Sequence, residues 1–443
     1  MTADIPNAFI QTPLPEERLK GSERIFMKIE GRLVDLMTDL DPDLYGPHIV
    51  YERGKKVVYV QVLRAIYGML ISAVLWYEKL RGELERGLDF KFNPYDPCVA
   101  NRVVNGQQHT IRYHIDDVMS STMDPEVNTE FLDWMNKMYG SIKEMKGVRG
   151  KVHDYLGMIL DFSEEGVMKV DMRDYVQKML KEFPIQFKEG DLVQTPATES
   201  LLETDSGKAL TPDKREAFHK TVAQGLFLCK RARPDIQPTI AVLCTRVLAP
   251  NESDWKKLVR LMKYLFGTKE MVLTLGADSV NVAKYFVDAS FAVHPDFKSH
   301  TGATMTMGQG AIHSMSRKQK LNTRSSTEAE LVGCDDAITM LLWTDLFMKA
   351  QGYPVENLLY QDNKSTILLG NNGPASAGKR SRAINVRYFF LTDQVEKGLV
   401  KIVYCPTGEM MADYMSKPLQ GQKFLYFRDQ IMGLTRPKYP TNA

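Results

Sequence analysis

The run Val282-Ala283-Lys284-Tyr285-Phe286-Val287 is rich in β-branched and aromatic residues and ends on a carboxylate, Asp288. Such a run reads as a buried strand. A carboxylate at its tip or middle is costly to bury without a partner, so the fold must bring one.

Three further acids stand in comparable contexts. Glu330 lies in the first turn of the long helical stretch after Ser325-Ser326-Thr327. Asp362 closes the apolar run Leu358-Leu359-Tyr360-Gln361, and Asp413 follows Val400-Lys401-Ile402-Val403-Tyr404-Cys405 at the start of a short helix. Between Asp288 and Glu330, residues 303–316 alternate small, polar and apolar around Gly308-Gln309-Gly310, a hairpin signal. The implied order is strand, hairpin, helix, strand, helix, strand, helix. In α/β sheets ligands gather at strand ends and helix N-termini, so acids at several such ends can converge. Converging carboxylates repel one another unless a cation lies between them, and a site of oxygen ligands without His or Cys suits Mg²⁺ or Mn²⁺. Two such ions about 3.5–4 Å apart activate a water and stabilise the leaving oxygen of a phosphodiester.

Each acid also has a purely structural reading. Glu330 completes Thr327-Glu328-Ala329-Glu330, a capping box. Asp362 before Asn363 fits a helix N-cap, and Asp413 fits a solvated first-turn acid. The stretch His114-Ile115-Asp116-Asp117, between Thr110–Tyr113 and Val118-Met119, reads as a hairpin with two acids at its turn. That suits a nucleotidyl-transfer metal site if a third acid approaches from another strand. A second Asp-Asp pair, Asp335-Asp336, falls inside a helix and reads as a solvated face.

With 443 residues, 44% of them hydrophobic and 25% charged, the chain can bury two or three cores. A net charge of +2 confines any nucleic-acid surface to local clusters. The candidates are Arg317, Lys318 and Lys320 with Arg324, and Lys379, Arg380 and Arg382 with Arg387; solvated loop charge is the alternative. Cys98, Cys229, Cys244, Cys334 and Cys405 are dispersed without a C-x-x-C pair, which argues for free thiols and against zinc. The longest uncharged apolar stretch, Ala65–Tyr77, is too short to span a bilayer and reads as a core helix. No signal peptide is visible.

Four segments resemble the ribonuclease H domain that ends the polyprotein of copia-type retrotransposons. They are Ser325-Ser326-Thr327-Glu328-Ala329-Glu330, Gln361-Asp362-Asn363-Lys364-Ser365, Arg387-Tyr388-Phe389-Phe390 and Ala412-Asp413-Tyr414-Met415-Ser416-Lys417-Pro418-Leu419. The resemblance implies that Asp288, Glu330, Asp362 and Asp413 are catalytic metal ligands for Mg²⁺ or Mn²⁺, and that the substrate is the RNA strand of an RNA–DNA hybrid. Upstream, Ala232-Arg233-Pro234-Asp235-Ile236, Trp255-Lys256-Lys257-Leu258 and Lys263-Tyr264-Leu265-Phe266-Gly267-Thr268 are similar to the connection of the same polyproteins, where packing is their whole role. Asp4-Ile5-Pro6-Asn7-Ala8-Phe9 resembles the first reverse transcriptase palm motif. It assigns Asp4 and Asp116 to metal binding, Asp117 to the same cluster, and Phe9 and Gly68 to the nucleotide and sugar gate. Tyr155-Leu156-Gly157-Met158-Ile159-Leu160 looks like the hairpin that grips a primer end.

The chain also departs from the family. His114 replaces the usual Tyr, and Leu70-Ile71-Ser72-Ala73-Val74-Leu75-Trp76-Tyr77 is apolar where the family carries Lys-Gln and later Pro and Arg. The usual His residues are missing around Ser381–Ile384 and at Phe389. With the chain starting almost on Asp4, the fingers are expected to be missing.

The resulting expectation is an α+β multidomain chain. It has a truncated reverse transcriptase palm and thumb-like region over 1–187, a linker and helical connection over 188–275, and a ribonuclease H-like mixed α/β sheet domain over 276–443. The expected activity is two-metal hydrolysis of hybrid RNA, with a palm that does not polymerise. The alternatives are an inactive retroelement remnant that at most binds nucleic acid, and another nuclease of the ribonuclease H-like class such as an integrase. RNA–DNA hybrid and template/primer are the expected partners. No membrane association is expected, and the expected location is intracellular, cytoplasmic and particle-associated or nuclear.

Overall fold

Strand alternation builds the first sheet. In Gln107–His114, the residues His109, Ile111 and Tyr113 face one side and are buried. The computed structural model describes residues 1–205, 207–373 and 385–436, with backbone alone at 21 and 385–389, and the chain divides into two units, 1–149 and 150–443.

The first unit holds strands β1 (Thr2–Asp4), β2 (Lys91–Asn93), β3 (Asp96–Val104), β4 (Gln107–His114) and β5 (Asp117–Ser121), in the antiparallel order β1-β5-β4-β3-β2. Its buried face packs on helices α1 (Ser72–Leu88) and α2 (Pro125–Tyr139), whose Trp76, Leu80, Leu84, Phe131, Met135 and Tyr139 complete the core. The apolar stretch Ala65–Tyr77 is not one helix, contrary to the sequence expectation. Gly68 adopts φ +95, outside helical geometry, so α1 begins only at Ser72; Trp76 is buried while Leu70 is 98% exposed. A separate three-stranded sheet places Lys55–Gln61 between Phe26–Glu30 and Val50–Glu52, over a small core of Ile29, Val34 and Val58.

The second unit opens with β6 (Val152–Tyr155), β7 (Met158–Asp161) and β8 (Val167–Asp171). A two-residue turn at Leu156-Gly157, with φ +54 and +75, joins β6 to β7 as a hairpin. Helices α3 (Arg173–Glu182), α4 (Pro212–Cys229), α5 (Gln237–Cys244) and α6 (Glu252–Gly267) follow. Asn251 caps α6 in a capping box with Asp254, as Asn251-Glu252-Ser253-Asp254 suggests. The chain then returns as β9 (Leu273–Ala277), which pairs with β8 on one side and with the short strand Gly308–Gln309 on the other.

The second large sheet of this unit is mixed. Strands β10 (Val282–Ser290), β11 (His300–Thr306), β12 (His313–Lys318), β13 (Glu356–Gln361) and β14 (Lys401–Tyr404) take the order β12-β11-β10-β13-β14. β10, β13 and β14 are parallel, while β11 and β12 form the antiparallel hairpin beside them. Helices α7 (Ser326–Ala350), α8 (Lys364–Asn372), α9 (Asn385–Glu396), α10 (Asp413–Ser416) and α11 (Gly421–Ile431) complete the unit. The element order expected from sequence is present, and the sheet has the expected mixed α/β arrangement. Tyr285 and Val287 of β10 pack with Leu331, Cys334, Ile338 and Leu341 of α7. On the other face Phe286 stacks on Tyr360, ring centroids 4.6 Å apart.

A buried ion pair ties the helices to this sheet. Arg233 Nε and Nη2 donate to the two carboxylate oxygens of Asp235 at 2.8 and 2.7 Å, with both side chains at most 1% exposed. Arg233 also donates to the Thr268 carbonyl at 3.1 Å and hydroxyl at 2.7 Å. Tyr264 donates to the Asp235 carboxylate at 2.7 Å, and Tyr414 of α10 donates to the Asp235 carbonyl at 2.5 Å. The sequence stretch assigned to packing alone thus carries the polar anchor of α10. All five cysteines are free, and among the described residues no helix is long and apolar enough to cross a membrane.

Removing one partner of a buried pair leaves the other charge without compensation, which typically costs about 3–5 kcal/mol. Arg233→Met is therefore expected to lower unfolding stability by about that amount in urea melts followed by far-UV circular dichroism. A loss below about 1 kcal/mol would show that the pair is dispensable.

Candidate metal centre

Four elements deliver the acids. Asp288 sits near the end of β10, 4% exposed, on the face opposite Val287. Directly across the ladder is Gly302, where the backbone of α10 lies against the sheet. A Cβ at position 302 would stand 2.5 Å from the Met415 carbonyl carbon and 2.7 Å from the Ala412 carbonyl oxygen. Only glycine admits that approach, and it brings Asp413 and Ser416 beside Asp288.

Glu330 is not a capping residue. Ser325 is the N-cap of α7 and accepts from Glu328 N at 3.2 Å, while the Glu328 carboxylate accepts from Arg324 N at 2.6 Å. Capping is thus completed two residues upstream of the sequence assignment. Glu330 is left 6% exposed, with Gln361 Nε2 donating to its Oε2 at 3.3 Å. Asp362 is likewise free of the N-cap role, because Asn363 caps α8 through Ser365 N and Thr366 N. Its Oδ2 accepts from Thr407 Oγ1 at 2.8 Å.

One potential ligand atom from each of Asp288, Glu330 and Asp362 lies within 4.8 Å of the other two, and this is the only such set of three among the described residues. Asp413 stands outside it. Far from being solvated, Asp413 is fully buried, with Lys417 on one carboxylate oxygen and Lys423 on the other. Lys417 Nζ is also 3.9 Å from Asp288 Oδ2, and Ser416 Oγ donates to that same oxygen.

Burial, with repulsion from Asp413 and Asp362, pushes the Asp288 carboxyl up to about 6, against the opposing pull of Lys417 and Ser416. Burial also holds Glu330 well above the usual carboxylate range, reinforced by Asp288 and Asp362. For Lys417 burial works against the charge, yet Asp288 and Asp413 more than offset it and raise its pKa. Three acids at these distances cannot all ionise at low cost without a cation among them. Their oxygen chemistry and spacing fit a hard divalent ion.

In the first unit β1 sets Asp4 opposite Asp117. Ile115-Asp116 forms a two-residue turn in which Ile115 takes φ +58, a strained conformation for a β-branched residue. The turn is held by Trp76 Nε1 donating to the Ile115 carbonyl at 2.7 Å and Ile5 N donating to the Asp116 carbonyl at 2.9 Å. Tyr67 donates to Asp116 Oδ2 at 3.4 Å and packs on Phe9, ring centroids 4.7 Å apart, one residue before Gly68. Partial burial and the neighbouring Asp116 raise the Asp4 pKa, partly offset by Lys143. The three acids therefore gather at one strand end without forming a three-ligand set as close as the one in the second unit.

Of the basic candidates, Arg317 is paired with Asp336 and Lys318 with Asp296 at 2.7 Å, while Lys320 and Arg324 are exposed. Asp336 is half-buried by that pairing and by the Thr301 hydroxyl at 3.2 Å, so Asp335-Asp336 is not a simply solvated face. Lys379, Arg380, Arg382 and the Arg387 side chain lie outside the described residues. Sequence reasoning missed Ser416, Lys417, Gln361 and Thr407 as supports of the acids, although the first three lie in segments quoted for their resemblance. Lys423 carried no local signal.

No protein-family model matches the chain. It is 25% identical over 408 residues to the retrovirus-related Pol polyprotein from transposon TNT 1-94 of Nicotiana tabacum, covering 90% of this chain and 30% of that protein. It is 28% identical over 418 residues to the retrovirus-related Pol polyprotein from transposon RE1 of Arabidopsis thaliana, covering 92% and 27%. A transposon Ty5-1 protein of Saccharomyces cerevisiae is 26% identical over 313 residues, covering 68% of this chain and 97% of that protein. Against a crystal structure of prototype foamy virus protease-reverse transcriptase the TM-score is 0.24 at 15% identity, covering 92% of this chain and 43% of that one. The chain thus spans less than a third of the plant polyproteins it matches. Over most of its own length it is a homologue of the copia-type retrotransposon Pol polyproteins.

Proposed function

We propose that the second unit is a divalent-metal-dependent ribonuclease that cleaves the RNA strand of RNA–DNA hybrids, with Asp288, Glu330 and Asp362 as metal ligands. The observation that carries this reading is the convergence of these three carboxylates within 4.8 Å from a strand, a helix start and a second strand end. Homology to polyproteins named as retrovirus-related supports nucleic acid as the substrate class. Mg²⁺ or Mn²⁺ bound there would polarise a phosphodiester oxygen and supply a water nucleophile at neutral pH. The chain's own residues orient the ligands: Ser416 fixes one oxygen of Asp288, Gln361 holds Glu330 and Thr407 holds Asp362. Exposed Lys320 and Arg324, close in sequence to the Glu330 helix start, are proposed to meet the phosphate backbone.

In the first unit, Asp4, Asp116 and Asp117 are proposed as the remains of a nucleotidyl-transfer centre, with Phe9 and Gly68 at the sugar. The exposed apolar Leu70 and Val74, where the family carries polar groups, favour a centre that does not extend primers. Primer extension by the whole chain is expected to be nil.

The whole chain, incubated with a labelled RNA–DNA hybrid and Mg²⁺ or Mn²⁺, is expected to cut the RNA, and Asp362→Asn to lower the rate by at least about 100-fold. Equal cleavage by parent and variant, or none by the parent, would sink the ribonuclease reading. Metal affinity should also follow pH. Asp288 and Glu330 hold their protons more tightly in the folded chain than in the unfolded one, so their stabilisation of the metal-free fold is full below the usual carboxylate range. It is lost as pH rises through about 6 for Asp288. Metal must displace those protons, so Mn²⁺ affinity is expected to fall about tenfold or more from pH 7.5 to pH 5. The rise in melting temperature on adding Mn²⁺ is expected to be larger at pH 7.5. Equal affinity at both pH values would contradict the assignment of these acids as ligands.

A further inference from the structure

Asp413 does not join the three-ligand set, and the reason is visible in its partners. Both of its oxygens are in ion-pair contact, Oδ1 with Lys417 and Oδ2 with Lys423, which also donates a hydrogen bond to Oδ2, and its side chain is fully buried. Lys417 belongs to two acids at once. Four residues on from Asp413, it follows α10 directly, and its Nζ also stands 3.9 Å from Asp288 Oδ2. Its ammonium therefore lies between Asp288 and Asp413, where a second cation bridging those carboxylates would have to sit.

We propose that the centre is built for one divalent ion, held by Asp288, Glu330 and Asp362, and that the Lys417 ammonium, backed by Lys423 on Asp413, occupies the position of a second. The inference rests on the metal-site reading above and replaces the two-ion expectation drawn from sequence. Charge balance supports it. When all four carboxylates are ionised, Lys417 and Lys423 leave two negative charges, which a single divalent ion neutralises. A second divalent ion would leave a buried site with two surplus positive charges, an arrangement the low-dielectric interior strongly disfavours. Position supports it too. The Gly302 contact fixes α10 against the sheet, so Lys417 is set beside Asp288 by backbone packing and not by a free side chain alone. Lysine is suited to the role, being a compact point charge with three donors.

The test counts bound Mn²⁺ at pH 7.5 on the whole chain in an Asp4→Asn, Asp116→Asn background, which removes the acids of the first unit from the count, by electron paramagnetic resonance of the free ion and by titration calorimetry. With its second unit native, this chain is expected to bind one Mn²⁺, with affinity reduced at least tenfold in Asp362→Asn. Lys417→Met is expected to admit a second ion at least tenfold more tightly than this parent does, whereas Lys417→Arg keeps the count at one. Two ions of similar affinity on the parent would overturn the proposal and leave the metal-site reading intact. So would a count of one in a folded Lys417→Met, with circular dichroism as the check on folding. Absence of Mn²⁺ binding, or binding indifferent to Asp362→Asn, would remove the metal-site reading itself and this inference with it. The parent's count decides between one and two even if Lys417→Met does not fold.

Discussion

The geometry of the acid centre depends on an interaction that contains none of its acids, the buried pair of Arg233 and Asp235. An ion pair this deep gains stability only when every donor and lone pair is used. Here the guanidinium is spread over Asp235 and Thr268, while Asp235 also takes the hydroxyls of Tyr264 and Tyr414. Tyr414 is the residue after Asp413. Through it the helical segment grips α10 from one side, while Gly302 receives the same short helix from the other. A four-residue helix has too few internal hydrogen bonds to hold its own place, so Asp413, Ser416 and Lys417 owe their positions to these two outside contacts. Gln237 reinforces the junction by donating to the Ser314 carbonyl of β12 at 2.9 Å and accepting from the Ser314 hydroxyl at 2.5 Å.

How much of this was legible in the sequence follows from the range of the interactions involved. Local signals were reliable. The β-branched run before Asp288, the glycines of the β11–β12 hairpin and the Asn251 cap act over a few residues, and each produced the element it suggested. Where two local signals competed, pattern alone did not decide. Ser325 and Thr327 can both cap a helix, and the chain uses Ser325 because Glu328 then closes back on Arg324 N, which leaves Glu330 free to face the other acids. In the stretch Ala65–Tyr77 the apolar run outweighed a single glycine in the reading, but Gly68 in its left-handed conformation stops a helix however apolar its neighbours are.

Long-range pairing was the part sequence could not carry. The partners of Asp413 lie four and ten residues away, and the second of these falls on a different helix, so no periodicity links Lys423 to the acid. Burial was equally invisible: a first-turn aspartate is usually solvated, and Asp413 is not because α10 lies against Gly302 with Tyr414 and Met415 drawn into the core beside it. Family resemblance pointed to all four acids alike, and only their surroundings separate the three that face one another from the one already neutralised.

That separation also explains how the acid cluster tolerates its own burial. Four buried or half-buried carboxylates would oppose folding if they all had to ionise without partners. Asp413 is matched twice over by lysines. Asp288 shares Lys417 and accepts from Ser416, and the strong preference of Glu330 for its proton removes one more charge. What is left is a cluster that is folded yet still short of positive charge at neutral pH, where β10, α7 and the end of β13 bring three carboxylates together. Without those lysines the cluster would carry more repulsion than the buried ends of these interior strands could absorb.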